Sequence, residues 1–239
     1  MFHRVYAEGL PGLNIFSQFL QKVKSWGTPC LPGQSLPTQS HGICLTFDDA
    51  YVDFYHYVFP LLKQYQLPAV LAIPTALIAD HTDKPISERL ALQYKHPLDN
   101  AIHQNPSLCT WFEIKEMLDS GWVVPAAHGA NHVALTSQSD WQQEIVQPKR
   151  IIEQKTRHPT SLFVYPYGRF DKQTHAFVCQ HYKFAMRIGS AINFNWCHSQ
   201  QLIYRINADN YWPRQAHPFK LSQKMHFGFR AFTNLVRGR

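Results

Sequence analysis

Apolar residues along the chain alternate between two spacings. Short continuous runs at 43–47 (Ile-Cys-Leu-Thr-Phe), 69–73, 122–127, 162–165, 183–188 and 202–206 have the length and composition of buried strands. Between them, apolar positions three and four apart predict helices at 14–27, 58–65, 110–121, 139–155 and 172–179. Asn14 stands where it can cap Ile15, Phe16, Phe19, Leu20 and Val23, with Gly27 as the stop, and Thr110-Trp-Phe-Glu113 has the form of a capping box closed by Gly121. Pro29, Pro32, Gly33 and Pro37 predict a loop over 28–41. Segment 74–107 lacks periodicity and predicts a long loop with some helix, of the kind that is functional or mobile.

Strands alternating with helices predict an α/β fold built on a parallel sheet, open or closed into a barrel. At 239 residues and 45% hydrophobic, the chain predicts one domain over 1–239. Its last part, 219–239, reads as a basic amphipathic helix: Leu221, Met225, Phe229, Phe232 and Val236 form a stripe, with Lys220, Lys224, Arg230, Arg237 and Arg239 around it. Such a helix either packs on the barrel or makes peripheral contact with a membrane.

The formal charge of +7 suits solubility or an acidic partner, but no clustered basic and aromatic platform supports a nucleic-acid partner. Cysteines at 30, 44, 109, 179 and 197 have no C-x-x-C spacing, which argues against a disulfide framework or zinc ribbon and fits a reducing compartment. The opening Met1-Phe-His-Arg-Val lacks the marks of a signal peptide, so the expectation is a cytoplasmic protein, with the tail allowing a place at the inner face of the membrane.

Three polar clusters follow predicted strands: Asp48-Asp49, His128 to His132 and Pro166-Tyr167-Gly168. In parallel barrels that end of the strands carries the chemistry. His-x-x-x-His puts two imidazoles on one face of a helical turn, although with 14 histidines chance supplies about one such pair. Adjacent acids after a strand commonly cap a helix. Together, one carboxylate and two imidazoles make a three-ligand metal site with room for water and substrate, and the second carboxylate is left to act as a base.

Leu45-Thr46-Phe47-Asp48-Asp49-Ala50 resembles the Thr-Phe-Asp-Asp-Gly motif of the NodB-type polysaccharide deacetylases, carbohydrate esterase family 4. His128-Gly-Ala-Asn-His132 is similar to that family's His-(Ser/Thr)-x-x-His motif, and Val164-Tyr165-Pro166-Tyr167-Gly168 to its Arg-x-Pro-Tyr segment. The order matches, and the similarity covers about residues 1–206. Met1-Phe2-His3-Arg4-Val5 resembles the Tyr-His-Arg-Val segment of a circularly permuted branch that includes poly-N-acetylglucosamine deacetylases. Ala50, Gly129 and Val164 depart from the family pattern. At Val164 many members carry an arginine that orients the base, a task for which Arg169 and Arg205 are candidates.

The resemblance implies a distorted (β/α) barrel of about seven parallel strands that hydrolyses an N-acetyl or O-acetyl group on a carbohydrate of the cell envelope or a lipid-linked glycan. Asp49, His128 and His132 would bind a divalent ion, expected to be zinc. Asp48 would act as base, the backbone N–H of Tyr167 as an oxyanion donor and His3 as the catalytic acid. A non-catalytic carbohydrate-binding relative and a different barrel metallohydrolase are the alternatives.

Overall fold

Where the apolar runs are continuous, the computed structural model has strands buried on both faces; it describes residues 1–6, 10–92, 105–196, 202–217 and 220–236. In chain order the strands are β1 (Thr28–Pro29), β2 (Gly42–Ile43), β3 (Leu45–Phe47), β4 (Ala69–Ile73), β5 (Val123–Ala127), β6 (Leu162–Val164), β7 (Phe184–Ile188) and β8 (Leu202–Arg205). The helices are α1 (Leu13–Trp26), α2 (Phe59–Tyr65), α3 (Ile86–Ala91), α4 (Trp111–Asp119), α5 (Gln147–Thr156), α6 (Lys172–His181) and α7 (Leu221–Val236). Strands β3 to β8 form one sheet in sequence order, every pair parallel, curled into a half-barrel, while β1 and β2 form a small parallel pair of their own.

Side-chain alternation divides the core into two layers. Val70, Ala72, Ala126, Leu162, Val164, Phe184, Met186 and Ile203 fill the concave side of the sheet. Residues of opposite parity, such as Leu71, Ile73, Phe163, Ala185 and Leu202, pack outward with the apolar faces of the helices. Pro125 lies within β5, a place where a missing N–H ordinarily breaks a ladder. The Trp122 carbonyl and His128 N–H bond β4, so residue 125 turns towards β6, where the only paired position is Ala127↔Phe163.

The six strands do not close the ring by themselves. Met1 N donates to Ile206 O at 2.7 Å and Met1 O accepts from Ala208 N, while Phe2 N donates to Thr46 O and Phe2 O accepts from Asp48 N. Residues 1 and 2 thus form a seventh rung between β3 and the end of β8. Phe2 secures it by stacking on Phe47, with centroids 4.8 Å apart, and by edge contacts with Phe16 and Phe19.

Several boundaries differ from the sequence expectation. Helix α1 starts at Leu13 with Gly12 rather than Asn14 as its N-cap and no side-chain cap, although Phe16, Phe19, Leu20 and Val23 are its buried face as expected. The run 43–47 divides at Cys44 between β2 and β3. The helices expected at 58–65 and 139–155 begin with π-helical turns at Phe54–Val58 and Gln142–Val146. The Thr110–Glu113 capping box is present, and Gly121 beyond it has φ 77. In α7 the stripe of Met225, Phe229 and Phe232 faces solvent, and the helix packs instead through Phe227 and Ala231. The side chains of Leu221 and Val236 lie outside the described residues, as do Arg237, Arg239 and Cys197.

Because Phe2 is buried among three aromatic rings, Phe2→Ala should lower the unfolding free energy by about 3–5 kcal/mol and Phe2→Leu by about 1. Denaturant titration checks this, and equal losses for the two variants would deny the stack its role.

Candidate active site and metal centre

Strand β3 ends by turning Asp48 and Asp49 into the catalytic end of the sheet, and both side chains are buried. Asp49 and Ala50 take positive φ values of 70° and 54°, which reverse the chain within two residues. A left-handed alanine costs about 1–2 kcal/mol, and strain of this kind gathers at functional sites. The turn aims the two carboxylates at different partners.

Asp49 Oδ1 lies 3.4 Å from His128 Nε2 and 3.2 Å from His132 Nε2. One ligand atom from each of the three residues lies within 4.8 Å of the others, and all three residues are buried. Two donors on one tetrahedral zinc with bonds of ~2.0–2.1 Å stand about 3.4 Å apart, so the spacing fits a cation of that size. His128 Nδ1 meets Val164 O at 2.7 Å. As donor to that carbonyl, Nδ1 carries the proton and Nε2 keeps its lone pair for a metal. The donor set of one carboxylate and two imidazoles therefore fits a divalent ion.

A helical turn does not bring the two histidines together, contrary to the expectation from their spacing. Residues 128–132 form a loop in which Gly129 (φ 73) and His132 (φ 55) are left-handed. Glu144 holds that loop open: its carboxylate accepts from Ala130 N at 2.8 Å, Asn131 N at 3.1 Å and Asn131 Nδ2 at 2.6 Å. A β-carbon at position 129 would lie 2.9 Å from Glu144 Oε2. The glycine that departs from the family motif is what allows the carboxylate this close.

Asp48 makes a bidentate pair with Arg205 of β8, Nη1 to Oδ1 at 2.5 Å and Nη2 to Oδ2 at 2.9 Å, and Arg205 Nη1 also reaches Thr46 Oγ1 at 3.3 Å. Burial pushes the Asp48 carboxyl upward, but the Arg205 guanidinium, with help from His128 and His3, overrides it and holds the group well below the ordinary carboxylate range. Of the two candidate arginines, Arg205 meets Asp48, and Val164 contributes its carbonyl to His128. For Asp49, too, burial is outweighed by the hydrogen bond to His128 and the charges of both imidazoles, and its pKa is lowered.

His3 follows directly from the closing rung. Its Nδ1 lies 2.6 Å from Asp209 Oδ2. Burial disfavours the charged imidazole, but the bond to Asp209, together with the charges of Asp48 and Asp49, raises the pKa above its ordinary value. With Nδ1 donating to Asp209, Nε2 is the atom that can exchange a proton. The segment is anchored further by Asp53, whose Oδ2 accepts from Val5 N at 2.7 Å and Tyr6 N at 3.0 Å. Tyr167 sits at φ 56 in the turn Pro166–Gly168, its ring 4.8 Å from that of His132.

All six residues singled out from the sequence thus belong to one end of the sheet. Sequence reasoning missed Asp209, Glu144 and Asp53. Asp209 lies shortly after a predicted strand, the position rule that found the other clusters; Glu144 and Asp53 are single acids inside helical segments and carry no local signal.

A family model described as polysaccharide deacetylase matches residues 35–183. Poly-beta-1,6-N-acetyl-D-glucosamine N-deacetylase of Escherichia coli K12 is 30% identical over 99 residues, which cover 41% of this chain and 13% of that protein. The chain therefore spans a small part of that relative's length. Among solved structures, the Streptococcus pyogenes deacetylase PplD in complex with acetate superposes with a TM-score of 0.65 at 23% identity, covering 87% of this chain and 89% of that one. IcaB from Ammonifex degensii gives 0.65 at 18% identity, covering 89% and 92%. At these identities the two structures bear on the fold.

In metal-free protein, Arg205→Met leaves a buried carboxylate uncompensated and should cost about 3–5 kcal/mol of stability, most of which the double variant Asp48→Leu/Arg205→Met should recover. Additive losses in this double-mutant cycle would mean that the two side chains are not coupled.

Proposed function

The chain belongs to the polysaccharide deacetylase family, and from that premise we propose that it is a metal-dependent hydrolase that removes the N-acetyl group from an amino sugar of a carbohydrate. The observation that carries this reading is the division between two neighbouring acids: Asp49 faces both imidazoles, while Asp48 faces Arg205. A site that only bound a cation would have no use for a second buried carboxylate with its own counter-ion.

Asp49, His128 and His132 would hold the ion, zinc suiting this donor set, and its contribution there would be Lewis acidity towards water and the acetyl carbonyl. Asp48, kept ionised and oriented by Arg205, accepts the proton of the attacking water. The backbone N–H of Tyr167 offers a donor to the oxyanion as the carbonyl becomes tetrahedral. An amine departs poorly as an anion, so His3 protonates it from Nε2 while Asp209 holds Nδ1. Acetate and a free amino sugar are the products, and an envelope polysaccharide or lipid-linked glycan is the substrate class we favour.

The departures that suggested an inactive relative each have a counterpart in the site. Ala50 adopts the left-handed turn, Gly129 gives way to Glu144, and Arg205 takes the place of the motif arginine. These compensations favour turnover over a purely binding role.

Incubation with N-acetylglucosamine oligomers should release acetate, and a chelator should stop it until a divalent ion is returned. Asp48→Asn should lower turnover by about 10²–10⁴-fold with metal content retained. Full activity in that variant, or no release by metal-loaded protein across a panel of acetylated glycans, would remove the reading.

The pH dependence has a definite sign. An acid must be protonated to act, so kcat/KM falls as pH rises through the pKa of His3, which lies above the ordinary imidazole value. Asp209→Asn removes the chief raising partner and leaves burial in place, so the alkaline limb should move to lower pH. A limb unmoved in Asp209→Asn would argue against His3 as the acid.

A further inference from the structure

Helix α7 is apolar on two opposite sides, and among the described residues only one of them is used. Phe227 and Ala231 are buried, and Gly228 between them faces Ile192. On the other side Met225, Phe229 and Phe232 are 69%, 68% and 63% exposed, three large apolar side chains on successive turns. A monomeric soluble domain seldom leaves such a row uncovered.

The charge around the row indicates what covers it. Residues 210–239 contain six lysines and arginines and no acidic residue, so nearly all of the chain's net charge of +7 falls there. At about 100° per residue, Arg230 lies beyond His226 on one side of the exposed row, whereas Lys224, seven residues before the buried Ala231, belongs to the packed side. An exposed apolar row in so basic a segment suits a surface of anionic head groups above acyl chains, with Arg230 long enough to reach back to the phosphates. The helix has 16 residues, about 24 Å in length, against a hydrocarbon core of ~30 Å, and no described helix is long and apolar enough to cross a membrane.

The mounting of the helix is compatible with an in-plane position. Lys224 Nζ donates to His41 Nε2 at 2.9 Å, just before β2 and therefore near the strand-start end of the sheet, away from the end that carries Asp49 and His128. Phe227 and Ala231 fix the inner side, which leaves the outer row to face away from the barrel.

We propose that α7 lies in the plane of an anionic lipid interface, with Met225, Phe229 and Phe232 inserted at the acyl boundary and Arg230 at the level of the phosphates. This inference stands apart from the deacetylase reading, since it uses none of the site residues.

Flotation of the full chain with phosphatidylcholine vesicles, with and without about one third phosphatidylglycerol, tests it. The protein should float with the anionic vesicles, bind neutral ones at least about tenfold more weakly, and lose binding as salt rises. Phe229→Ser/Phe232→Ser should weaken anionic binding about tenfold or more with an unchanged thermal midpoint, and Arg230→Gln should narrow the difference between the two lipid mixtures. Absence of anionic binding at low salt, or undiminished binding by the Phe229→Ser/Phe232→Ser variant, would overturn the proposal. So would a dimer in sedimentation velocity that this variant dissociates, because the row would then belong to a second copy of the chain.

Discussion

Two adjacent carboxylates buried at the end of one strand are the constraint around which the catalytic end is organised. Removing one ionised carboxylate from water already costs several kcal/mol, and a second beside it adds repulsion. The chain meets this demand by sending the two groups to different partners. Asp48 is met by a guanidinium in fork geometry from β8, and Asp49 by two imidazoles from the loop after β5. Both answers require strands distant in sequence to arrive together, so the electrostatics and the curl of the sheet depend on each other.

The same logic explains why the residues with a proposed chemical part need supporting residues around them. Glu144 holds the backbone that carries His132, Val164 orients His128 through its carbonyl, and Asp209 and Asp53 secure the segment bearing His3. Each uses a polar group to fix another, and a site arranged this way is specified by those contacts as much as by the side chains that would hold a cation. Departures from a family motif can therefore be absorbed when a residue elsewhere takes over the physical task.

What could be read in advance divides along physical lines. Strand β4 was legible to the residue because Ala69 to Ile73 is an unbroken apolar run buried on both faces, and the α4 cap because its two hydrogen bonds are local. The start of the helix before α2 was not, since the turn at Phe54–Val58 is wider than an α-turn and the 3.6-residue period slips there. Arg205 could have been preferred over Arg169 by strand parity, because it shares the inward face with Ile203. Asp209 stood where the rule of polar residues after a strand applies, although its contact with His3 spans 206 residues; Glu144, which joins a helix to a loop, had no such signal.

The rung made by Met1 and Phe2 also bears on how the molecule is assembled. Its bond to Ile206 joins positions 205 residues apart, and the entropic cost of closing so long a loop falls late, after most local contacts have formed. During synthesis, His3 leaves the ribosome long before Asp209, the carboxylate that meets it in the folded chain. A truncated or stalled chain can thus collapse around much of its sheet while His3 is still unordered, until β3 and the segment after β8 are bridged.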